Sequence, residues 1–180
     1  MTAASKKTRN AWLGLGGNIG DVRASMEAAL ERLDAMEGVS VSAVSHLYRT
    51  PPWGITDQPD FLNACAQLVT ELPAEALLDA CLDTERSLKR ERTLRWGPRT
   101  IDIDLLAVEG VEQETEKLTL PHPRMLDRAF VLLPLADLAP GLIITDRPVT
   151  DWLADVDAAG VEKLADASDW WQMRKQKTLP

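Results

Sequence analysis

The sequence predicts an α+β fold with a ferredoxin-like βαββαβ core, a mostly antiparallel sheet with helices packed on one face and active-site loops on the other. Three observations carry that expectation. Phe61 to Thr70 and Ile101 to Leu106 alternate at the two-residue period of a strand. Val22 to Met36 and Leu77 to Leu88 place apolar residues at helical spacing. In chain order the candidate elements run strand, helix, strand, strand, helix, strand.

Ala11 to Leu15 is a short apolar strand that ends in Gly16-Gly17-Asn18-Ile19-Gly20-Asp21. Glycines after a strand suit a tight connection and could equally admit a phosphate, although the full dinucleotide fingerprint is missing. Asp21 can cap the next helix, whose face is Val22, Met26, Ala29, Leu30, Leu33 and Met36, and Gly38 suits its exit. Val39 to Tyr48 is rich in β-branched residues and forms the second strand, with His46 structural within it. Arg49-Thr50-Pro51-Pro52-Trp53-Gly54 ends it, since neither proline can donate to a ladder. Trp53 is either a packed cap on the core or part of a ligand wall.

In the third strand Leu62, Ala64, Ala66 and Leu68 share one face, and Phe61, Asn63, Cys65 and Gln67 the other. The first face is core. The second sets an aromatic ring beside an amide, which suits a partly buried sheet face or a flat heterocycle stacked on the ring with its edge at the amide. Pro73 fits the first position of the second helix, and Leu77, Leu78, Cys81, Leu82 and Leu88 form its stripe. Glu85 falls within that stripe, so its carboxylate needs a partner. An arginine from the following segment is expected to provide it, whether Glu85 is structural or part of a site.

The strongest chemical signal is Arg-Trp-Gly-Pro-Arg-Thr-Ile-Asp-Ile-Asp-Leu-Leu, residues 95 to 106. Asp102 and Asp104 project from one face of this strand about 7 Å apart. They could share two hard cations roughly 3.5 to 4 Å from each other, the spacing that clamps a transferring phosphoryl group. The plain alternative is an edge strand whose outward face happens to carry acids. Just upstream, Arg86, Lys89, Arg90, Arg92, Arg95 and Arg99 stand against Glu91 alone, a local net charge of +5 in a chain of −8. Metal-bound polyphosphate accounts for both signs together.

Glu109 to Lys117 reads as a solvated hairpin tip. His122, held between Pro121 and Pro123 in an extended loop, points to a site role. Asp127-Arg128-Ala129-Phe130 leads into a short helix with Pro134 in its first turn. Residues 146–180, with a helix at 150–156 and the Trp170-Trp171 pair, form a C-terminal extension to which no chemistry attaches.

The chain has 180 residues, 45% of them hydrophobic and 27% charged, which predicts one domain burying about 70% of its unfolded surface. A pI near 4.8 disfavours nucleic acid as a partner. Cys65 and Cys81 lack metal-ligand spacing and read as buried thiols in a reducing compartment. No signal peptide and no 18-residue apolar run is evident, so the expectation is a cytoplasmic protein, off the membrane, acting as a monomer without an attached partner domain.

Five segments together resemble the 6-hydroxymethyl-7,8-dihydropterin pyrophosphokinase family. They are Gly16-Gly17-Asn18, Tyr48 to Gly54, Asp57 to Asn63, Arg95 to Leu106 and Leu118 to Pro123, and the likeness extends over residues 11 to 145. The resemblance implies transfer of pyrophosphate from ATP to a pterin hydroxymethyl oxygen with release of AMP, the substrates being small molecules. It implies two Mg2+ held by Asp102 and Asp104, and a pterin between Phe61 and Phe130 with its polar edge on Asn63, Thr50 and backbone near Pro51 and Trp53. Arg90, Arg92 and Arg99 match phosphate-contacting arginines, with Trp96 in the loop that closes over the site. Glu85, Leu105, Lys117, Thr119, His122 and Arg128 match ATP-site positions. The chain departs from the family where Gly17 replaces a common serine, Phe61 a tyrosine, Trp53 a leucine and Pro123 a tyrosine, and where the stretch between Arg92 and Arg95 is one residue short. Two rival readings are a regulatory domain that binds a small ligand, which has no need of both aspartates, and nucleic-acid binding by the arginine loop.

Overall fold

The strand that joins the others is β1 (Arg9–Gly17), which pairs antiparallel with β4 (Phe61–Thr70) on one side and β5 (Asp102–Val108) on the other. The computed structural model describes residues 7–52, 56–90, 100–165 and 169–171, apart from the side chain of Arg90. Along its outer side β4 pairs with β2 (Val39–Val44) and then β3 (Tyr48–Thr50). Much further along the chain, β10 (Glu162–Lys163) adds to β3, so the order is β10-β3-β4-β1-β5, with β2 beside the far half of β4. Two small hairpins stand apart from this sheet, β6 (Gln113–Glu114) with β7 (Thr119–Leu120) and β8 (Ile143–Ile144) with β9 (Arg147–Pro148).

The expected second strand is therefore two strands. At the break, the Ser45 backbone N–H donates to the Cys65 carbonyl at 2.9 Å, and the Cys65 N–H donates to Ser45 Oγ at 2.8 Å. The serine side chain takes the place of a ladder partner, and the chain bends without leaving a buried amide unpaired.

Helices α1 (Val22–Asp34) and α2 (Ala74–Arg90) cover one face. Met26, Leu30, Leu33, Leu77 and Cys81 pack there with Leu13, Leu15, Ala64, Ala66, Leu68, Ile103 and Leu105. The Asp21 carboxylate accepts from the Ala24 N–H at 3.0 Å, and Gly38 takes φ +77° after the helix, as their sequence positions suggest. Met36 lies beyond the end of α1 and is 36% exposed, so it is not part of the buried face.

The opposite face is not roofed by loops alone, as the sequence had suggested. There α3 (Ala129–Leu138) and α4 (Val149–Ala154) bring Val131, Leu132, Leu135 and Val149 onto Trp12, Cys65 and Leu106. The cause is visible in composition: those three strand residues leave an apolar second face, and α3 is apolar almost all round, as a helix buried on several sides must be. Pro134 is the sixth residue of α3 rather than part of its first turn, so the Phe130 carbonyl lacks its usual partner four residues on. Trp170 and Trp171 join the core, with the Trp170 indole donating to the Ser45 carbonyl at 3.0 Å. Among the described residues no helix is long and apolar enough to cross a membrane.

Trp170 is completely buried, so Trp170→Ala should cost about 3–5 kcal/mol. A fall in the urea midpoint with unchanged slope is the expected result.

Candidate active site

The register sets chemistry-bearing residues in rows across the sheet. Tyr48, Asn63, Gly16 and Asp102 lie in one row, and Cys65, Gly14 and Asp104 in the next. With strands about 4.8 Å apart, Asn63 and Asp102 stand roughly 10 Å from each other. Between them the floor is bare, because Gly14 and Gly16 raise no side chain. A Cβ on Gly16 would come within 3.0 Å of Asn63 Oδ1.

Above this floor opens a cavity of about 1340 Å³ lined by Thr50, Pro51, Phe61, Asn63, Glu85, Asp102, Asp104, Lys117, Thr119, His122, Arg128 and Phe130, among others. Single-ligand pockets run to roughly 1,000 Å³ at most, so it has room for two molecules. Its polar end is built by the Asn63 amide, which donates to Thr50 Oγ1 at 2.6 Å, the two residues being only 6% and 7% exposed. Thr50 can direct its own proton outward while Asn63 Oδ1 remains an acceptor, so the pair offers one donor and one acceptor. Phe61, the cross-strand partner of Thr50, and Phe130, at the start of α3, both line the cavity, with the Arg128 guanidinium 5.7 Å from the Phe130 centroid.

At the other end β5 is the edge of the sheet, so the cavity continues over its free side to Leu78, Leu82, Glu85 and Lys89 of α2. The Glu85 carboxylate accepts from the outward N–H of Ile103. Lys89 Nζ lies 3.7 Å from Glu85 and 3.9 Å from Asp102. Among the described residues the partners of Glu85 are thus a backbone amide and a lysine, while the expected arginine falls on Arg90, Arg92, Arg95 or Arg99, whose side chains lie outside them. Burial pushes the Glu85 carboxyl above the usual range, against the pull of Ile103 and Lys89, and the neighbouring aspartates push it further. Leu105 points its side chain into the core, but at the two-residue period its backbone faces the same free edge as that of Ile103.

Asp102 and Asp104 both open into the cavity, and the Asp102 carboxylate is 43% exposed. Among the described residues no third His, Cys, Asp or Glu converges with them as a ligand set. Two hard oxygen donors beside open space suit Mg2+, which binds through one or two carboxylates and completes its shell with water and phosphate oxygens.

His122 lies beside β5, where its backbone N–H donates to the Leu106 carbonyl at 2.8 Å. Its Nδ1 accepts from the Arg124 N–H at 3.2 Å, which leaves the proton of the neutral ring on Nε2. Burial holds its pKa below the ordinary histidine value; Asp104 opposes this, and Arg128 and Arg124 reinforce it. Lys117, in the turn between β6 and β7, pairs with Asp79 at 2.9 Å at the cavity rim.

Trp53, Arg92, Trp96 and Arg99, like the Arg90 side chain, lie outside the described residues. Gly14 was not singled out for a site from sequence, Gly16 only as part of a turn that could admit a phosphate, and Lys89 only as one of a basic cluster. The glycines left a signal, a period-two repeat inside a strand, which marks a close approach to backbone. Lys89 was visible four residues after Glu85.

A family model described as 7,8-dihydro-6-hydroxymethylpterin-pyrophosphokinase matches residues 12–140. A 2-amino-4-hydroxy-6-hydroxymethyldihydropteridine pyrophosphokinase of Methylorubrum extorquens is 51% identical over 154 residues, covering 86% of this chain and 98% of the relative. A protein of that name from Pseudomonas aeruginosa is 41% identical over 157 residues, covering 87% and 97%. Among solved structures, Plasmodium falciparum HPPK-DHPS A437G with SDX-DHP superposes with a TM-score of 0.63 at 16% identity. That match spans 82% of this chain and 45% of the other, and it speaks to the fold alone.

Because the folded chain resists protonation of His122, this residue lowers stability once pH falls into the ordinary histidine range, where the unfolded chain takes up the proton first. The unfolding free energy of wild type minus that of His122→Gln should be flat above about pH 7 and decline below about 6.5. Urea titrations at several pH values test this.

Proposed function

Because the chain belongs to the 7,8-dihydro-6-hydroxymethylpterin-pyrophosphokinase family, transferring pyrophosphate to the hydroxymethyl group of a dihydropterin in folate biosynthesis, we propose that ATP is the donor and that two substrate sites share the cavity. The pterin lies in the glycine-floored slot, and ATP along the free edge of β5. The observation that carries this reading is the row Asn63, Gly16, Asp102, which puts an amide and a carboxylate at opposite ends of a bare floor. We also read the β1-α1-(β2, β3)-β4-α2-β5 core as ferredoxin-like, on its strand order.

In this reading Asn63 and Thr50 take the donor–acceptor edge of the ring, aided by backbone at Pro51 and Trp53, while Phe61 and Phe130 cover its faces. A ring held there extends its hydroxymethyl group toward Asp102 and Asp104. On the nucleotide side the Leu105 backbone meets the base. Lys117, Thr119 and Arg128 hold ribose and phosphate, and His122 donates from Nε2 to a phosphate oxygen. Glu85 holds the β5 edge and Lys89 in place beside the phosphates. Arg90, Arg92 and Arg99 are assigned to phosphate contacts, and Trp96 to closure over the site.

Two Mg2+ on Asp102 and Asp104 would neutralise charge on the phosphate oxygens and fix their orientation. The pterin oxygen attacks the β-phosphorus, its bond forming as the link from that phosphorus to the α-phosphate oxygen breaks; the hydroxyl proton passes to water, and AMP leaves carrying the bridging oxygen. The chain contributes mainly placement and charge. A hydroxyl held in line beside a desolvated, neutralised phosphate needs little covalent help.

Mixing the protein with ATP, Mg2+ and the reduced pterin alcohol should yield AMP. Asp102→Asn or Asp104→Asn should lower kcat by roughly 10²–10³-fold or more while the unfolding midpoint holds. Undiminished turnover in either variant would remove the two-metal reading.

A further inference from the structure

On the far side of Tyr48 from the slot floor, groups from three segments converge on one carboxylate. Asp137 Oδ2 accepts from the Tyr48 hydroxyl at 2.9 Å and from the His46 N–H at 3.2 Å, and lies 3.0 Å from His46 Nδ1. Its Oδ1 accepts from Lys163 Nζ at 3.3 Å. The Asp137 side chain is only 18% exposed. Burial drives its pKa up, but the hydrogen bonds of Tyr48 and His46 and the charge of Lys163 together outweigh that, so it stays ionised.

The position of this knot relates it to the slot. Phe130, Pro134 and Asp137 occupy one face of α3, at i, i+4 and i+7, so the knot lies about 10 Å along the helix from the Phe130 ring. Tyr48 is the cross-strand partner of Asn63 and shares its sheet face with Thr50, two residues on. The strand carrying Tyr48 and Thr50 is three residues long and cut off from β2. Its outer neighbour is the two-residue β10, where Arg49 pairs with Glu162 at 2.6 Å, and the Leu164 N–H donates to the Leu47 carbonyl at 2.9 Å. These outer ties come from beyond residue 140, where the family match ends.

We infer that Asp137 is a positioning residue for the pterin: by fastening the Tyr48 phenol and the β2–β3 break to α3, it sets the separation of the Phe130 wall from the Thr50–Asn63 pair. The inference rests on the slot being the pterin site. Its effect falls mainly on pterin affinity, since Asp102, Asp104 and the β5 edge belong to the other end of the sheet and, of the residues assigned to the nucleotide, only Arg128 adjoins α3. A carboxylate tying helix to strand differs from generic packing in that its loss loosens one substrate site and leaves the other intact.

The test is steady-state kinetics in both substrates, with thermal unfolding recorded alongside, on wild type, Asp137→Asn and Tyr48→Phe. Asp137→Asn keeps the shape and removes the charge, and Tyr48→Phe keeps the packed ring and removes only the hydroxyl. The pterin KM should rise roughly tenfold in Asp137→Asn and by a smaller factor in Tyr48→Phe, with ATP KM and kcat little changed. A lowered melting temperature with unmoved pterin KM, or an equal rise for both substrates, would overturn the inference alone. Absence of AMP from the wild type would overturn the reading on which it rests, and the inference with it.

Discussion

The constraint on which the rest depends is that a central strand must be buried on both faces and still leave space on one of them. β1 meets it by composition. Its helix-facing residues Ala11, Leu13 and Leu15 fill the main core, while on the other face Trp12 packs under α3 and Gly14 and Gly16 leave nothing above the backbone. Had those positions carried ordinary side chains, the second face would close into a continuous apolar layer like the one around Leu106. Glycine costs strand stability by its entropy, and here the flanking pairs with β4 and β5 offset that cost.

Charge is arranged by the same economy of backbone. The acids sit on an edge strand, so groups from α2 reach around to them: Glu85 takes the Ile103 amide, and Lys89 spans from Glu85 to Asp102. Three carboxylates in one corner repel each other, and the raised pKa of Glu85 registers that after burial. A corner held this way gains most from a divalent cation and its phosphate ligands. The neutral His122 on the same side suits a donor that does not add to the positive charge of Arg124 and Arg128.

Much of this was legible in sequence, because periodicity reports which residues share a face and the face is what a sheet site uses. Phe61 with Asn63, and Asp102 with Asp104, were placed together correctly on that ground. What alternation could not convey is which element covers a face: α3 is apolar almost all round, so its pattern names no clear direction. The break after Val44 was invisible as well, since it is stitched by Cys65 and Trp170, the latter 125 residues from Ser45. The Ile103 amide as a partner of Glu85 was not foreseen, because a backbone amide at a sheet edge leaves no mark in composition, whereas a run of arginines leaves a strong one.

The exposed margin of β5 has one more implication. A strand border with unspent amides and carbonyls is a template onto which another polypeptide can add itself. Part of that border is already occupied, the Ile103 N–H by Glu85 and the Leu106 carbonyl by the His122 N–H, and two acids, Asp102 and Asp104, stand on the strand beside the rest. Acids at such a border make it a poor template for a second chain, so the two aspartates that face the cavity also weigh against strand addition there.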